Sequence, residues 1–302
     1  MKKAIVTGGA GFIGSHLADS LIKDGLDVHI IDDLSSGKLE HLPDAASFHQ
    51  LDISSQETRE LITSIKPDVI YHLAAQADVN RSLDDPHTDM LVNVGGTINI
   101  LEACRSLSLK KFVFSSTSAV YGNSPESVLT EDLPVSPLSY YGLSKLVAER
   151  YITLYHDLFS IPYTILRYGN VYGPRQTAKG EGGVIAVFTE KLSKGEPLKV
   201  NGDGLQTRDY VYVQDIVSAN RAAGDIQDVG TFVVGTGIPT SLLEVIKTLE
   251  NHTGQSIPYT HGADRPGDIK HSCLDPALIN RTLGWAHRYD MDMGISETLR
   301  RR

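Results

Sequence analysis

The chain has 302 residues, 41% of them hydrophobic, enough for one large α/β unit or two smaller domains. Its formal charge of −9, from 28 Lys and Arg against 37 Asp and Glu, argues against nucleic acid as its main partner. Cys104 and Cys273 are the sole cysteines and have no CxxC spacing, and the histidines form no HExxH pair. Neither a disulfide framework nor a metal site is therefore expected.

In chain order, Met1-Lys2-Lys3-Ala4-Ile5-Val6-Thr7 runs straight into glycines. That apolar run is too short for a signal peptide or membrane span, so a cytoplasmic protein with no membrane partner is expected. Ala4-Ile5-Val6, stopped by Thr7-Gly8-Gly9, reads as a buried parallel strand. A helix follows over 12–23, with Phe12, Ile13, Leu17, Leu21 and Ile22 on its inner face. Val28-His29-Ile30-Ile31 is a second strand closed by Asp32-Asp33, and a third ends before Asp52-Ile53. Helices are expected over 57–65, 84–107 and 141–158, and strands over 68–73, 111–115 and 163–167. This alternation predicts right-handed βαβ crossovers and a doubly wound parallel sheet.

The pattern loosens after Arg167. Residues 169–183, rich in Gly and Pro, read as a long active-site loop. A helix over 184–194, a strand over 198–200 and a strand over 210–213 follow. The expected architecture is α/β, with the sheet domain over 1–170, returning segments near 208–236, and a smaller C-terminal α/β cap over 171–302.

Thr7-Gly8-Gly9-Ala10-Gly11-Phe12-Ile13-Gly14 lies at the first strand–helix turn and contains GxxGxxG. Glycines suit a turn where the backbone approaches a pyrophosphate and the helix packs closely on the sheet. The helix N-terminus adds unpaired N–H groups and a positive dipole end. This context predicts a Rossmann dinucleotide site. Asp32, ending the second strand, can bond both adenosine ribose hydroxyls and would repel a 2′-phosphate, which favours NAD over NADP. Asp33 reads better as a solvated acidic turn, and Asp52 and Ile53 suit the adenine edge.

Tyr141 and Lys145 stand four residues apart at a helix start, which stacks them on one face. A tyrosine with a pKa of about 10 is a poor base at neutral pH. A neighbouring ammonium and a nicotinamide cation would both favour the phenolate.

TGGAGFIG, the acidic end of the second strand, the Tyr141-xxx-Lys145 pair and Ser115-Ser116-Thr117-Ser118-Ala119-Val120-Tyr121-Gly122 together resemble the extended short-chain dehydrogenase/reductase superfamily. Within it the chain resembles the UDP-glucose 4-epimerases and their N-acetylhexosamine-tolerant relatives over nearly its whole length. The resemblance implies an enzyme that inverts the sugar's fourth carbon through a 4-keto intermediate, with NAD as cofactor. It implies that Thr117 shuttles the O4 proton toward Tyr141 and that Lys145 holds the nicotinamide ribose. Gly8, Gly11, Phe12, Ile13, Gly14, Asp32, Asp33, Ser36, Gly37, Asp52, Ile53, Leu73, Ala74, Ala75 and Tyr168 complete the implied cofactor set. Asn93 matches a cofactor-adjacent asparagine, equally readable as a buried satisfied amide.

On the substrate side the resemblance implies a UDP-sugar held by Ser82, Asn170, Gly183, Val184, Leu198, Lys199 and Val200. Arg208 and Arg265 would clasp the phosphates and Asp268 the uridine ribose, a task suited to bidentate guanidinium groups. Exposed arginines are otherwise usually just solvated, and Gly202-Asp203-Gly204 reads as a turn. Ser272 stands where enzymes restricted to the plain hexose carry a tyrosine, and Gly169 where they often have an aromatic. Both changes leave room for a 2-acetamido group. Related dehydratases and decarboxylases carry an acid after the catalytic threonine, where this chain has Ser118 and Ala119. Alternatives are UDP-glucuronate 4-epimerisation, another nucleotide-sugar reaction on this scaffold or, in a different class, a non-catalytic NAD-sensing regulator. Helices over 84–107 and 141–158 resemble those of a homodimer contact in relatives.

Overall fold

Residues 2–180, 182–226, 228–263 and 269–300 are described by the computed structural model. Apolar, β-branched runs build the strands, and their alternation decides which face each side chain covers. In β1 (Lys3–Thr7), Ala4 and Val6 join one core cluster while Ile5 joins the other. Helix α1 (Phe12–Lys23) follows, then β2 (Asp27–Asp32), β3 (Ser47–Gln50), α2 (Gln56–Ile65) and β4 (Val69–His72). Next come α3 (Val79–Asp84), α4 (Pro86–Met90), α5 (Thr97–Cys104), β5 (Lys111–Thr117), α6 (Tyr140–Phe159) and β6 (Tyr163–Tyr168).

The chain then builds β7 (Asn170–Tyr172), α7 (Val184–Ser193), β8 (Leu198–Asn201), β9 (Thr207–Tyr212), α8 (Val213–Asp225) and β10 (Gly230–Val234). It ends with β11 (Pro239–Ser241), α9 (Leu242–Thr253), β12 (Tyr259–Gly262), α10 (Ala277–Leu283) and α11 (Met291–Arg300). Seven parallel strands form one sheet in the order β10-β6-β5-β4-β1-β2-β3. This is the doubly wound Rossmann arrangement. One face packs under α1, α8 and Trp285, the other under α2, α5 and α6. Smaller sheets, β11-β9-β7 and β12-β8, lie outside it. Their core gathers Tyr172, Phe188, Leu198, Val200, Tyr212, Val245 and Leu249, and Phe12 of α1 reaches into it.

The expected single helix over 84–107 is broken. Asp85 leaves helical geometry at φ −138 and accepts the N–H of Thr88 through its side chain, so α4 starts anew at Pro86. Leu91–Gly96 then forms a π-helical turn before α5. Gly96 allows it, since a Cβ there would lie 2.4 Å from Ile53. The expected strand over 210–213 begins earlier, at Thr207, and Val213 already opens α8. The expected loop 169–183 contains β7.

One buried hydrogen-bond chain joins the C-terminal ends of β1 and β4. The Thr7 hydroxyl accepts the N–H groups of Leu73 and Ala74, each at 3.2 Å, and donates to Nδ1 of His72 at 2.7 Å. The Thr97 hydroxyl donates to the Asn93 carbonyl, so Nε2 of His72 carries the hydrogen and donates to Thr97 at 3.0 Å. His72 is a neutral imidazole with one tautomer available. Burial, reinforced by the Lys145 charge, pushes its pKa down to about 3.

The folded pKa lies below the ordinary 6.5, so below that pH the unfolded chain gains a proton the folded chain refuses. Stability is unaffected above pH 6.5 and is lost as pH falls toward 3, by about 1.4 kcal/mol per unit from this group. Denaturant melts at pH 7 and pH 5 check this: His72→Gln should be less stable at pH 7 yet lack about 2 kcal/mol of the acid loss. Equal losses in both proteins would contradict it.

Candidate active site

Strand order reverses between β1 and β4, and a crevice opens there outside the carboxyl ends of the strands. The cleft measures about 1200 Å³. Its floor is the glycine turn. Gly8 has φ +69, and a Cβ on it would lie 2.7 Å from the Ala74 nitrogen; a Cβ on Gly14 would lie 2.1 Å from the Gly8 carbonyl. A side chain at Gly8 would push the end of β4 away, and one at Gly14 would push α1 off the turn. Gly11 caps α1 without any side-chain bond, and Gly11, Phe12, Ile13 and Gly14 all line the cleft. The opening N–H groups of α1 thus face a space suited to an anion.

Asp32 is buried at the rim. It accepts the Ala10 N–H at 3.0 Å and the Leu34 N–H at 2.8 Å. Burial raises its pKa, with those two bonds opposing. Asp33 also lines the cleft but spends Oδ1 on the N–H and hydroxyl of Ser35. Ser36, Asp52, Ile53, Leu73, Ala74 and Ala75 line it too. Gly37 and Asn93 are not among the lining residues. A Cβ on Gly37 would touch Asp32 Oδ1 and Ala10 Cβ at 2.8 Å each, so its part is to let the chain pass. The Asn93 amide is fully engaged: Oδ1 accepts the Gln76 N–H, while Nδ2 donates to the Gln76 carbonyl, Asp89 and Ser144. A buried satisfied amide is the reading its geometry supports.

Tyr141 and Lys145 line the cleft from α6, whose first turn is capped by the Ser139 side chain accepting the Gly142 N–H. The Lys145 ammonium is buried 4.5 Å from the centre of the Phe114 ring. Asn93 Nδ2 donates to the Ser144 hydroxyl at 2.9 Å, and that hydroxyl donates to the Tyr141 carbonyl at 3.0 Å. The chain from Thr7 therefore runs unbroken to the helix carrying Tyr141. Thr117 ends β5 directly opposite Tyr168 on β6, and its hydroxyl accepts the Ala119 N–H at 3.1 Å. Ser115 and Ser116 line the cleft; Thr117 sits one residue beyond them. Tyr168 lines the cleft, donates its hydroxyl to Asn220, and has its pKa raised by burial. Its hydroxyl is thereby committed to Asn220.

Beneath these residues lies a buried ion pair. Arg167 Nη2 and Nε meet the two oxygens of Glu149 at 2.7 and 3.0 Å. Nη1 donates to the Tyr121 hydroxyl at 2.9 Å, and Ser116 donates to Glu149. Burial works against the guanidinium charge, but the bonds to Glu149 outweigh it and the Arg167 pKa is raised. The pair holds β5, β6 and α6 in one arrangement behind Thr117, Tyr168 and Lys145.

The expected substrate residues lie elsewhere. Among the described residues none of Ser82, Asn170, Gly183, Val184, Leu198, Lys199, Val200, Arg208 or Ser272 lines this cleft. Ser82 is buried and donates to the Val79 carbonyl. Leu198 and Val200 point into the cap core, 1% and 0% exposed, so only their backbones and the exposed Lys199 could meet a ligand. Asn170 is exposed, and Gly183 caps α7 ahead of Val184. Arg208 and Ser272 come together around Thr207: Arg208 Nη1 and the Ser272 N–H both donate to its carbonyl, at 2.9 and 3.2 Å. Arg265 and Asp268 lie outside the described residues. Lining residues without an expected role include Gln76, Asp78 and Arg81 after β4, and Arg175, Gln176 and Thr177 after β7. The glycine and proline content of 169–183 was the signal for the latter group.

Residues 4–235 match the NAD dependent epimerase/dehydratase family. The UDP-glucose 4-epimerase of Mycolicibacterium smegmatis is 41% identical, over 98% of this chain and 97% of that protein. The crystal structure of the Thermotoga maritima UDP-glucose 4-epimerase with UDP-glucose superposes at a TM-score of 0.96, with 39% identity, over 99% of this chain and 98% of that one. The Methanobrevibacter ruminantium UDP-N-acetylglucosamine 4-epimerase in complex with UDP-N-acetylmuramic acid gives 0.95, with 33% identity, over 99% and 97%.

Removing one partner of the Glu149–Arg167 pair strands the other charge in the interior. Arg167→Met should cost about 3–5 kcal/mol in denaturant melts, and the double variant Arg167→Met/Glu149→Leu should recover much of that loss. A loss below about 1 kcal/mol in the single variant is what an exposed pair would give, and would contradict the account.

Proposed function

The chain belongs to the NAD dependent epimerase/dehydratase family, and from that premise we propose that it interconverts UDP-sugars epimeric at the fourth carbon. The observation that carries this reading is the convergence of Tyr141, Lys145 and the glycine turn on one cleft at the strand-order reversal. The cradle fits a dinucleotide, because Gly8, Gly11 and Gly14 line it and α1 opens there with no side-chain cap on its first N–H groups. The Asp32 carboxylate at the rim suits a free ribose diol and so favours NAD.

NAD, when bound, supplies a reversible hydride acceptor at the sugar's fourth carbon. Tyr141 takes the proton of the 4-hydroxyl, directly or through the Thr117 hydroxyl, and returns it to the opposite epimer. Lys145, its ammonium held in the interior, favours the Tyr141 phenolate and holds the nicotinamide ribose. Tyr168 stays protonated and packs beside them. Ser118 and Ala119 bring no acid to assist loss of a hydroxyl or carboxylate, which favours epimerisation over dehydration or decarboxylation. Arg208 and Arg265 take the substrate diphosphate, Asp268 the uridine ribose, and the 183–184 and 198–200 backbones the uracil. Residues 1–170 with 208–236 form the cofactor domain and the rest the nucleotide-sugar cap.

The small, buried Ser272 supports acceptance of a 2-acetamido sugar as well as the hexose. Exposed Leu143, Tyr151, Leu154 and Leu158 along α6, with Met90 and Leu91 beside them, support a homodimer through these helices. Free, buried Cys104 and Cys273 suit a reducing cytoplasm. No helix among the described residues is long and apolar enough to cross a membrane.

The direct test is NMR of the purified protein with NAD⁺ and, separately, UDP-glucose, UDP-N-acetylglucosamine and UDP-glucuronate. The galacto epimer of at least one of the first two should appear without NADH accumulation; turnover of UDP-glucuronate alone would move the assignment to the uronate reaction. No conversion of any of the three, with NAD⁺ tightly held, would favour the sensor. Tyr141→Phe should lower kcat by about 10²–10⁴-fold while NAD⁺ stays bound. Ser272→Tyr should lower kcat/KM for the N-acetyl sugar by roughly 10-fold or more and spare the hexose; undiminished N-acetyl turnover would remove Ser272 from specificity.

A further inference from the structure

Between β7 and α7 the chain crosses from the cap side back to α1. The Pro174 carbonyl is held by His16 Nε2 at 2.9 Å, and Arg175 Nη2 meets Asp19 Oδ2 at 2.8 Å. Both anchors are on α1, the helix whose opening turn forms the anion cradle. To make this crossing Arg175 adopts φ +68, a left-handed backbone unusual for a residue with a side chain.

The guanidinium is only half used. Nη2 is tied to Asp19, but Nη1 is buried with no hydrogen-bond partner among the described residues. Its neighbour Gln176 likewise leaves Oε1 buried and unpartnered. A buried donor without a partner costs free energy, so little holds Nη1 where it is. Arg175 and Gln176 line the cleft together with Gly11, Phe12 and Ile13. Its charge also reaches the glycine turn: His41 bonds the Ala10 carbonyl, and the Arg175 charge adds to burial in lowering the His41 pKa.

We propose that the half-buried Arg175 guanidinium, which lines the cleft beside the glycine turn, turns its unpartnered Nη1 out onto a diphosphate lying there, that of the dinucleotide, so that the 173–180 segment latches the cofactor in place. The proposal rests on a dinucleotide occupying the cleft. Its chemical sense is electrostatic. The turn and the α1 terminus supply N–H groups and a partial positive charge, whereas a diphosphate carries two full negative charges. Asp19 is a positioning residue, holding one edge of the guanidinium on α1. An epimerase must return the hydride it has taken, so a slow cofactor off-rate serves the reaction directly.

The sugar nucleotide also carries a diphosphate, so the test has two arms. Protein stripped of nucleotide is titrated calorimetrically with NAD⁺, with adenosine and with UDP, for wild type, Arg175→Gln, Arg175→Gly and Asp19→Asn. Arg175→Gly removes the guanidinium while relieving the left-handed backbone, so it should melt no lower than wild type. Both Arg175 variants should bind NAD⁺ roughly 10- to 100-fold more weakly, as expected for one charge-assisted bond. Their affinities for adenosine and UDP should be unchanged, and Asp19→Asn should fall between them and wild type. NAD⁺ binding by Arg175→Gly as tight as wild type would overturn the proposal. So would weakened UDP binding with NAD⁺ unaffected, which would assign Arg175 to the substrate. Failure of wild type itself to bind NAD⁺ would overturn the dinucleotide reading along with the latch.

Discussion

Two backbones meet at the centre of the molecule with no room for a side chain between them. Gly8, leaving β1, lies against Ala74, leaving β4, and a single added carbon would sit 2.7 Å from a backbone nitrogen. The contact is closed by the hydrogen-bond chain through Thr7, the neutral His72 and Thr97. Because strand order reverses at this junction, drawing the two strand ends together also sets the depth of the crevice above them. Through Asn93 and Ser144 the same chain ends on the Tyr141 carbonyl. The spacing between the phosphate cradle and the expected proton acceptor is therefore fixed by buried bonds.

The second support stands behind the chemistry. Glu149 lies one turn below Lys145 on α6, and Arg167 immediately precedes Tyr168 on β6. Their bidentate pair couples the helix carrying Tyr141 and Lys145 to the strands carrying Thr117 and Tyr168. The cap is tied differently. Asp209, wholly buried on β9, accepts the N–H groups of Thr236, Gly237 and Leu274. It thereby gathers the strands around Arg208 and Ser272. A rigid cofactor floor and a cap held by polar crossings suit a reaction in which the cofactor stays and the sugar turns over.

Much of this was legible because the signals are local. The β1–α1 turn, the acid at the end of β2 and the Tyr141–Lys145 spacing each occupy a few consecutive residues, and period alone separates strand from helix. The break at Asp85–Pro86 and the π-helical turn were hidden because the apolar pattern runs across them, while the cause lies in Asp85 capping and the contact of Gly96 with Ile53. Strands β7 and β11, three residues each, are stabilised by partners far along the chain and have no period of their own. Leu198 and Val200, expected along a ligand, turn their side chains into the cap core, which leaves their backbones for that part. Arg175 gave no local sign, since its left-handed backbone and its anchor on Asp19 exist only once α1 and the β7–α7 segment are brought together.

The central claim is that one hydride leaves the fourth carbon and returns to the same carbon on its other face. UDP-glucose or UDP-N-acetylglucosamine carrying deuterium at that carbon, run to equilibrium in ordinary water with NAD⁺, tests it most directly. The account predicts both epimers with the label retained at the fourth carbon and no accumulation of reduced cofactor. Washing out of the label into solvent, or loss of a hydroxyl in place of inversion, would contradict it.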